Sequence, residues 1–187
     1  MSLAKIVVPS IKNVETRHGM VKQLFALNAV LFGSYFVATG PVGLIYKKYF
    51  TLGPNSSFLS LGLSHFGHTS TAAFVFNSTV LWTIGNYHVK KYGCGRFAYL
   101  LGLSCLAGSA LGLYEVRYNA RKVISGSMAF SASLITYNVF ANPHWFTILR
   151  IHPAFWLGGL ALYGAYENDK ACIGGIAAGY LALLLAL

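Results

Sequence analysis

The sequence predicts an all-α integral membrane protein, a bundle of six transmembrane helices with a long first loop. Three observations predict it. Hydrophobic residues fill 56% of the 187 positions and charged residues 10%, with a mean hydropathy of +0.57, which leaves more apolar surface than a soluble domain of this length can bury. The apolar residues gather into six runs, roughly 23–39, 70–87, 97–114, 125–141, 147–166 and 171–187, close to the ~20 residues that cross a hydrocarbon core as helix. The 14 Lys and Arg, against 4 Asp and Glu, sit in short clusters between those runs. Loop charges that set topology and meet anionic lipid explain this excess better than nucleic-acid binding does.

The chain divides into a basic N-terminal arm, 1–22, and one membrane domain, 23–187. The arm carries Lys5, Lys12, Arg17 and Lys22 against Glu15, and suits either an anionic membrane face or an uncleaved targeting segment. No separate cleavable apolar segment precedes the first run, so no secretory signal is expected. The connection 40–69 is long and contains Phe58-Leu59-Ser60-Leu61-Gly62-Leu63. That stretch is too short to span, and is expected to lie in the interface or dip into the protein. The remaining connections are brief, which makes successive helices antiparallel neighbours.

Six helices place both termini on one face. That face collects seven net positive charges, from the arm, from Lys90, Lys91 and Arg96, and from Arg150. The other collects three, with Lys47, Lys48, Arg117, Arg121, Lys122 and Lys170 set against Glu115, Glu167 and Asp169. Both termini are therefore expected in the cytosol or the mitochondrial matrix. Lys90, Lys91 and Arg96 form a compact basic group suited to an anionic phospholipid such as cardiolipin, with ordinary topology charge as the alternative.

The topology also sorts polar residues by depth. The second, fourth and sixth helices begin on the face opposite the termini, which puts His68, Asn77, Ser125 and Cys172 in one polar layer, far from His144 and His152. Polar groups inside a bilayer are costly enough to suggest function, although hydrogen bonding between helices is an equal account. His18, His65, His88 and His144 are read as loop or helix-end residues. Cys94, Cys105 and Cys172 share no metal-ligand spacing and form no even-numbered disulfide framework. Neither H-x-x-x-H nor C-x-x-C occurs, so no metal or other cofactor is expected.

From about Lys47 to Leu187 the residues resemble the rhomboid superfamily, most closely its mitochondrial, presenilin-associated rhomboid-like branch. The first signature is K-K-Y-F-T-L-G-P-N-S-S at 47–57, followed by S-H-F-G-H-T-S-T-A-A-F-V-F-N at 64–77. Ser64, Phe66, His68 and Asn77 fall in register with the family pattern, and Leu81-Trp82 continues it. The second, G-x-S-G, reads V-I-S-G at 123–126 and opens the fourth helix with Ser125 and Gly126. The third, A-H-x-G-G-x-x-x-G, reads A-C-I-G-G-I-A-A-G at 171–179. The resemblance implies a six-helix rhomboid-like bundle in the mitochondrial inner membrane, with both termini in the matrix.

In the family a Ser-His dyad inside the membrane hydrolyses peptide bonds, while the Asn and a second His hold the oxyanion. Here the catalytic His position is Cys172 and the second His position is Ala73. A serine hydroxyl is a weak nucleophile without an adjacent base, and loss of one oxyanion donor costs about 10²- to 10³-fold. The positions Ser125, Cys172, Ala73, Asn77 and His68 thus form a degenerate site with no catalytic residue expected. His152, followed by P-A-F-W-L-G-G, is a poorer match for the catalytic His, because it lies 27 positions after Ser125 and would omit a helix.

A fold retained without its dyad implies a structural accessory subunit of a large mitochondrial complex, such as ATP synthase or a respiratory complex. Short loops, and a chain that closes on its last helix, favour that reading. A pseudorhomboid in membrane-protein translocation or quality control is the alternative. It would use the polar layer, but usually also a recruiting tail, which this chain is expected to lack. An active intramembrane serine protease ranks third. Expected partners are membrane subunits and anionic phospholipid, not nucleic acid.

Overall fold

A computed structural model describes residues 14–37, 39–54, 56–119, 122–143, 153–166 and 170–185. Every regular element among them is helical: α1 (Val14–Val37), α2 (Gly40–Phe50), α3 (Ser60–Leu63), α4 (Thr71–Val80), α5 (Asn86–Tyr92), α6 (Cys94–Tyr118), α7 (Met128–Ala141), α8 (Pro153–Tyr166) and α9 (Lys170–Leu184). A five-residue π-helical segment, Leu81–Gly85, joins α4 to α5. The outer part of the arm 1–22, together with His144, Arg150, His152, Glu167 and Asp169, lies outside the described residues. Helix α1 runs through the boundary drawn at 22 and 23.

Among the described residues, two helices are long and apolar enough to cross a membrane, α1 over its last 19 residues and α6 with 25. Helices α7, α8 and α9 are apolar but have 14, 14 and 15 residues. At 1.5 Å per residue the described stretches cover about 21–23 Å of a ~30 Å core. Among the described residues the architecture is thus all-α with two full-length candidate spans, a coarser description than the expected six.

Helix α7 is the centre, with every residue from Met128 to Val139 buried. Its sequence carries no charged residue and is mainly apolar or small, as suits a helix enclosed on every side. Helix α9 packs mainly on α7 and α6, and glycines make the approach. A Cβ at Gly175 would overlap the Ala129 carbonyl, and one at Gly174 would lie 2.6 Å from the Ala107 oxygen. Removing Cβ atoms at a contact lets backbones approach as side chains would not. Outward faces carry large apolar residues, among them Val30, Leu44, Phe58, Leu106 and Leu162.

The connection 40–69 holds more structure than its composition suggested. Pro41 sits in the first turn of α2, where its missing N–H costs nothing. Leu52 forms an isolated antiparallel bridge with Ile124, at 2.7 and 2.9 Å. Phe58 and Leu59 are exposed, whereas Ser60 is buried.

Candidate functional site

Ser125 does not open a helix. It lies three residues before α7, on a strip fixed by the Leu52–Ile124 bridge. Gly126 follows with φ +109°, a conformation that favours glycine. Its N–H donates to the Ser64 carbonyl at 2.8 Å, and a Cβ there would come 3.4 Å from the His68 ring. Glycine thus lets the chain turn tightly past His68, leaving the Ser125 hydroxyl 2.8 Å from that of Thr69.

His68 is fully buried. The Tyr46 hydroxyl braces its backbone, accepting from the His68 N–H at 3.0 Å and donating to its carbonyl at 3.3 Å. With Nδ1 as donor to the Phe66 carbonyl at 3.3 Å, Nε2 accepts from Asn77 Nδ2 and from Ser127 Oγ, each at 3.4 Å. Burial in this connecting segment pushes the His68 pKa down to about 4, keeping the ring neutral at physiological pH. A serine hydroxyl facing a neutral imidazole oriented by a carbonyl is the geometry of a nucleophile and base. Here, however, Ser127 and His68 are both sealed in the interior, and their link is structural.

A small cavity of about 90 Å³ is lined by Thr69, Ser70, Ala73, Asn77, Ser125 and Tyr163, with Lys122 at its edge. It gathers three of the five degenerate positions, Ser125, Ala73 and Asn77, with His68 behind Asn77. Ala73 contributes no donor. The Asn77 amide nitrogen is taken by His68, and its Oδ1 is buried without a partner. The Lys122 ammonium is engaged by Glu115 at 2.6 Å, so it is not offered to Ser125 as a base.

Cys172 is not brought into this group. It is buried in the first turn of α9 with its thiol 3.8 Å from the Leu160 carbonyl, and among the described residues it does not line the cavity. The contact with Leu160 places its thiol against α8.

Two histidines read as loop or helix-end residues are core residues. His65 Nε2 lies 2.9 Å from Ser109 Oγ and 3.1 Å from the Cys105 carbonyl. Since Ser109 donates to the Leu61 carbonyl, His65 is the donor in both contacts and pins the 60–65 turn to α6. His88 Nδ1 accepts from Asn138 Nδ2 at 3.1 Å, with both side chains buried. Among the described residues no group of three or more His, Cys, Asp or Glu could hold a metal ion.

Lys90, Lys91 and Arg96 are exposed around the turn from α5 to α6, at the opposite end of α6 from Glu115 and Lys122. The sequence reading missed Thr69, Ser127 and Tyr163. For the first two the run of hydroxyls flanking His68 and Ser125 was the only signal.

No protein-family model matches the chain, and no curated protein matches it.

Proposed function

We propose that the protein is a catalytically inactive, rhomboid-like integral membrane protein. Its role is that of a structural accessory subunit of a large mitochondrial inner-membrane complex, such as ATP synthase or a respiratory complex. One observation carries the inactive reading: the Ser125 hydroxyl faces Thr69, another hydroxyl, while Cys172 at the catalytic His position faces the Leu160 carbonyl. Neither neighbour is a base, and without one Ser125 stays a weak nucleophile.

The scaffold role draws support from what is retained. The glycines of α9 still bring it onto α7 and α6, and apolar side chains cover the outward faces of α1, α6 and α8, as contact with lipid or with other membrane helices requires. Mitochondrial placement rests on the resemblance and the basic arm. Purification in mild detergent tests the role. Stoichiometric recovery with one complex supports the subunit reading, and crosslinking to many transient precursors sinks it.

Translocation or quality control is the second reading. It is favoured by a cleft of about 600 Å³ lined by Tyr35, Lys47, Lys48, Ser56, Thr69 and Val123, which adjoins the Ser125 cavity through Thr69 and Val123 and is roomy enough for a passing polypeptide segment.

A further inference from the structure

We infer that the turn from α5 to α6 is a built site for the phosphate headgroup of an anionic phospholipid, with Lys90, Lys91 and Arg96 as its cations and Tyr92 as its platform. The inference rests on the membrane reading given above and deepens it from a basic patch to a defined site.

Two of the three cations, Lys91 and Arg96, converge on a fixed ring, and Lys90 precedes Lys91 on the exposed end of α5. The Lys91 ammonium lies 5.6 Å and the Arg96 guanidinium 5.9 Å from the centre of the Tyr92 ring, so the two like charges share one aromatic platform. That platform is locked from within. The Asn142 amide donates to the Tyr92 hydroxyl, the Tyr137 ring meets Tyr92 edge-on at 5.3 Å, and His88 packs at 4.9 Å. A second ring, Tyr87, sits 5.8 Å from Lys91, and its hydroxyl is 3.4 Å from Nζ. Surface lysines are ordinarily free to disperse, whereas Lys91 and Arg96 are held beside a ring anchored in the core.

Convergent positive charge calls for an anion. The single ion pair among the described residues is Lys122 with Glu115, at the far end of α6. With 25 residues, α6 is about 37 Å long, so that carboxylate is beyond reach. A lipid is the source of the anion because the site sits where the candidate span α6 begins. One turn further along, the exposed Tyr99 suits the amphipathic headgroup level, and the exposed Leu106 continues the apolar surface that acyl chains would follow.

The experiment uses the full chain reconstituted in vesicles of phosphatidylcholine with and without phosphatidylglycerol. Lipid retained after extraction into mild detergent is then quantified by mass spectrometry. Wild type should retain phosphatidylglycerol in excess of its share in the vesicle. The triple variant Lys90→Gln/Lys91→Gln/Arg96→Gln should lose that enrichment by about 10- to 100-fold, while Lys47→Gln/Lys48→Gln and the charge-conserving Lys90→Arg/Lys91→Arg keep it. Enrichment unchanged in the triple variant, or absent in wild type, overturns the site. Displacement of the lipid by inorganic phosphate with equal effectiveness overturns the lipid as its ligand. Release of the protein from membranes by alkaline carbonate would instead overturn the membrane reading, and is scored separately.

Discussion

Gly179 of α9 lies so close to Ser133 of α7 that a Cβ on it would sit 2.6 Å from the Ser133 carbonyl oxygen and 3.0 Å from its Cα. The obstacle is backbone, which cannot rotate aside as a side chain would. Gly179→Ala and Gly175→Ala should therefore each lower stability by about 1–3 kcal/mol or more, as overpacking does. Gly158 on α8 has open space where a Cβ would be, and Gly158→Ala should leave stability unchanged or raise it by up to about 1 kcal/mol, because alanine is the better helix former. Thermal unfolding in detergent separates the two classes, and equal midpoints for all three variants would contradict the packing account.

Glu115 joins three parts of the chain. One carboxylate oxygen takes the Lys122 ammonium at 2.6 Å, the other accepts the Lys170 backbone N–H at 3.2 Å, and the residue is 4% exposed. Lys122→Ala would leave a buried carboxylate uncompensated, a defect worth about 3–5 kcal/mol. Lys122→Ala together with Glu115→Gln should recover much of that loss, because the charge goes with its partner. Chemical denaturation measures both, and a double variant no better than the single one would refute the pairing.

Acid should loosen the 60–70 region. Burial pushes the pKa of His65 and of His68 down to about 4, against about 6.5 in an unfolded chain. Between those values the unfolded state binds more protons, so stability is fully present above about pH 6.5, falls as pH drops toward 4, and then levels off. Full protonation corresponds to a loss on the order of 3 kcal/mol per histidine. The unfolding midpoint, followed from about pH 7 to pH 4, should drop for wild type. The drop should be shallower for His65→Gln, which keeps a donor toward Ser109 but does not titrate.

What could be read beforehand was whatever has a linear signature. The G-G-x-x-x-G of 174–179 states a small-residue face directly, and α9 is packed as that face requires. Helix α2 was missed because G-P at 40–41 reads as a break, although Pro in a first turn starts a helix as readily as it stops one. The stretch N-Y-H-V-K-K reads as a solvated helix end, which places His88 there. The helix instead continues to Tyr92 and buries His88 and Val89, with His88 against Asn138. Cys172 shows the limit of topology. A count of apolar runs says nothing of the direction in which a side chain points around its helix, and that angle separates a thiol facing Ser125 from one facing Leu160.

That angle makes Cys172→His informative. If the chain were a protease lacking only its base, an imidazole at this position would restore the dyad, and Ser125 would react with a serine-directed fluorophosphonate. In the present packing the side chain at 172 is buried against the Leu160 carbonyl. An imidazole, larger than a thiol, would crowd the α8–α9 contact at a cost of about 1–3 kcal/mol. The expected result is a less stable protein that remains unlabelled, like wild type and like Ser125→Ala. Labelling that appears in Cys172→His and vanishes when Ser125→Ala is added would mean that position 172 does face Ser125. Labelling of wild type that Ser125→Ala abolishes would go further and make the chain an active hydrolase.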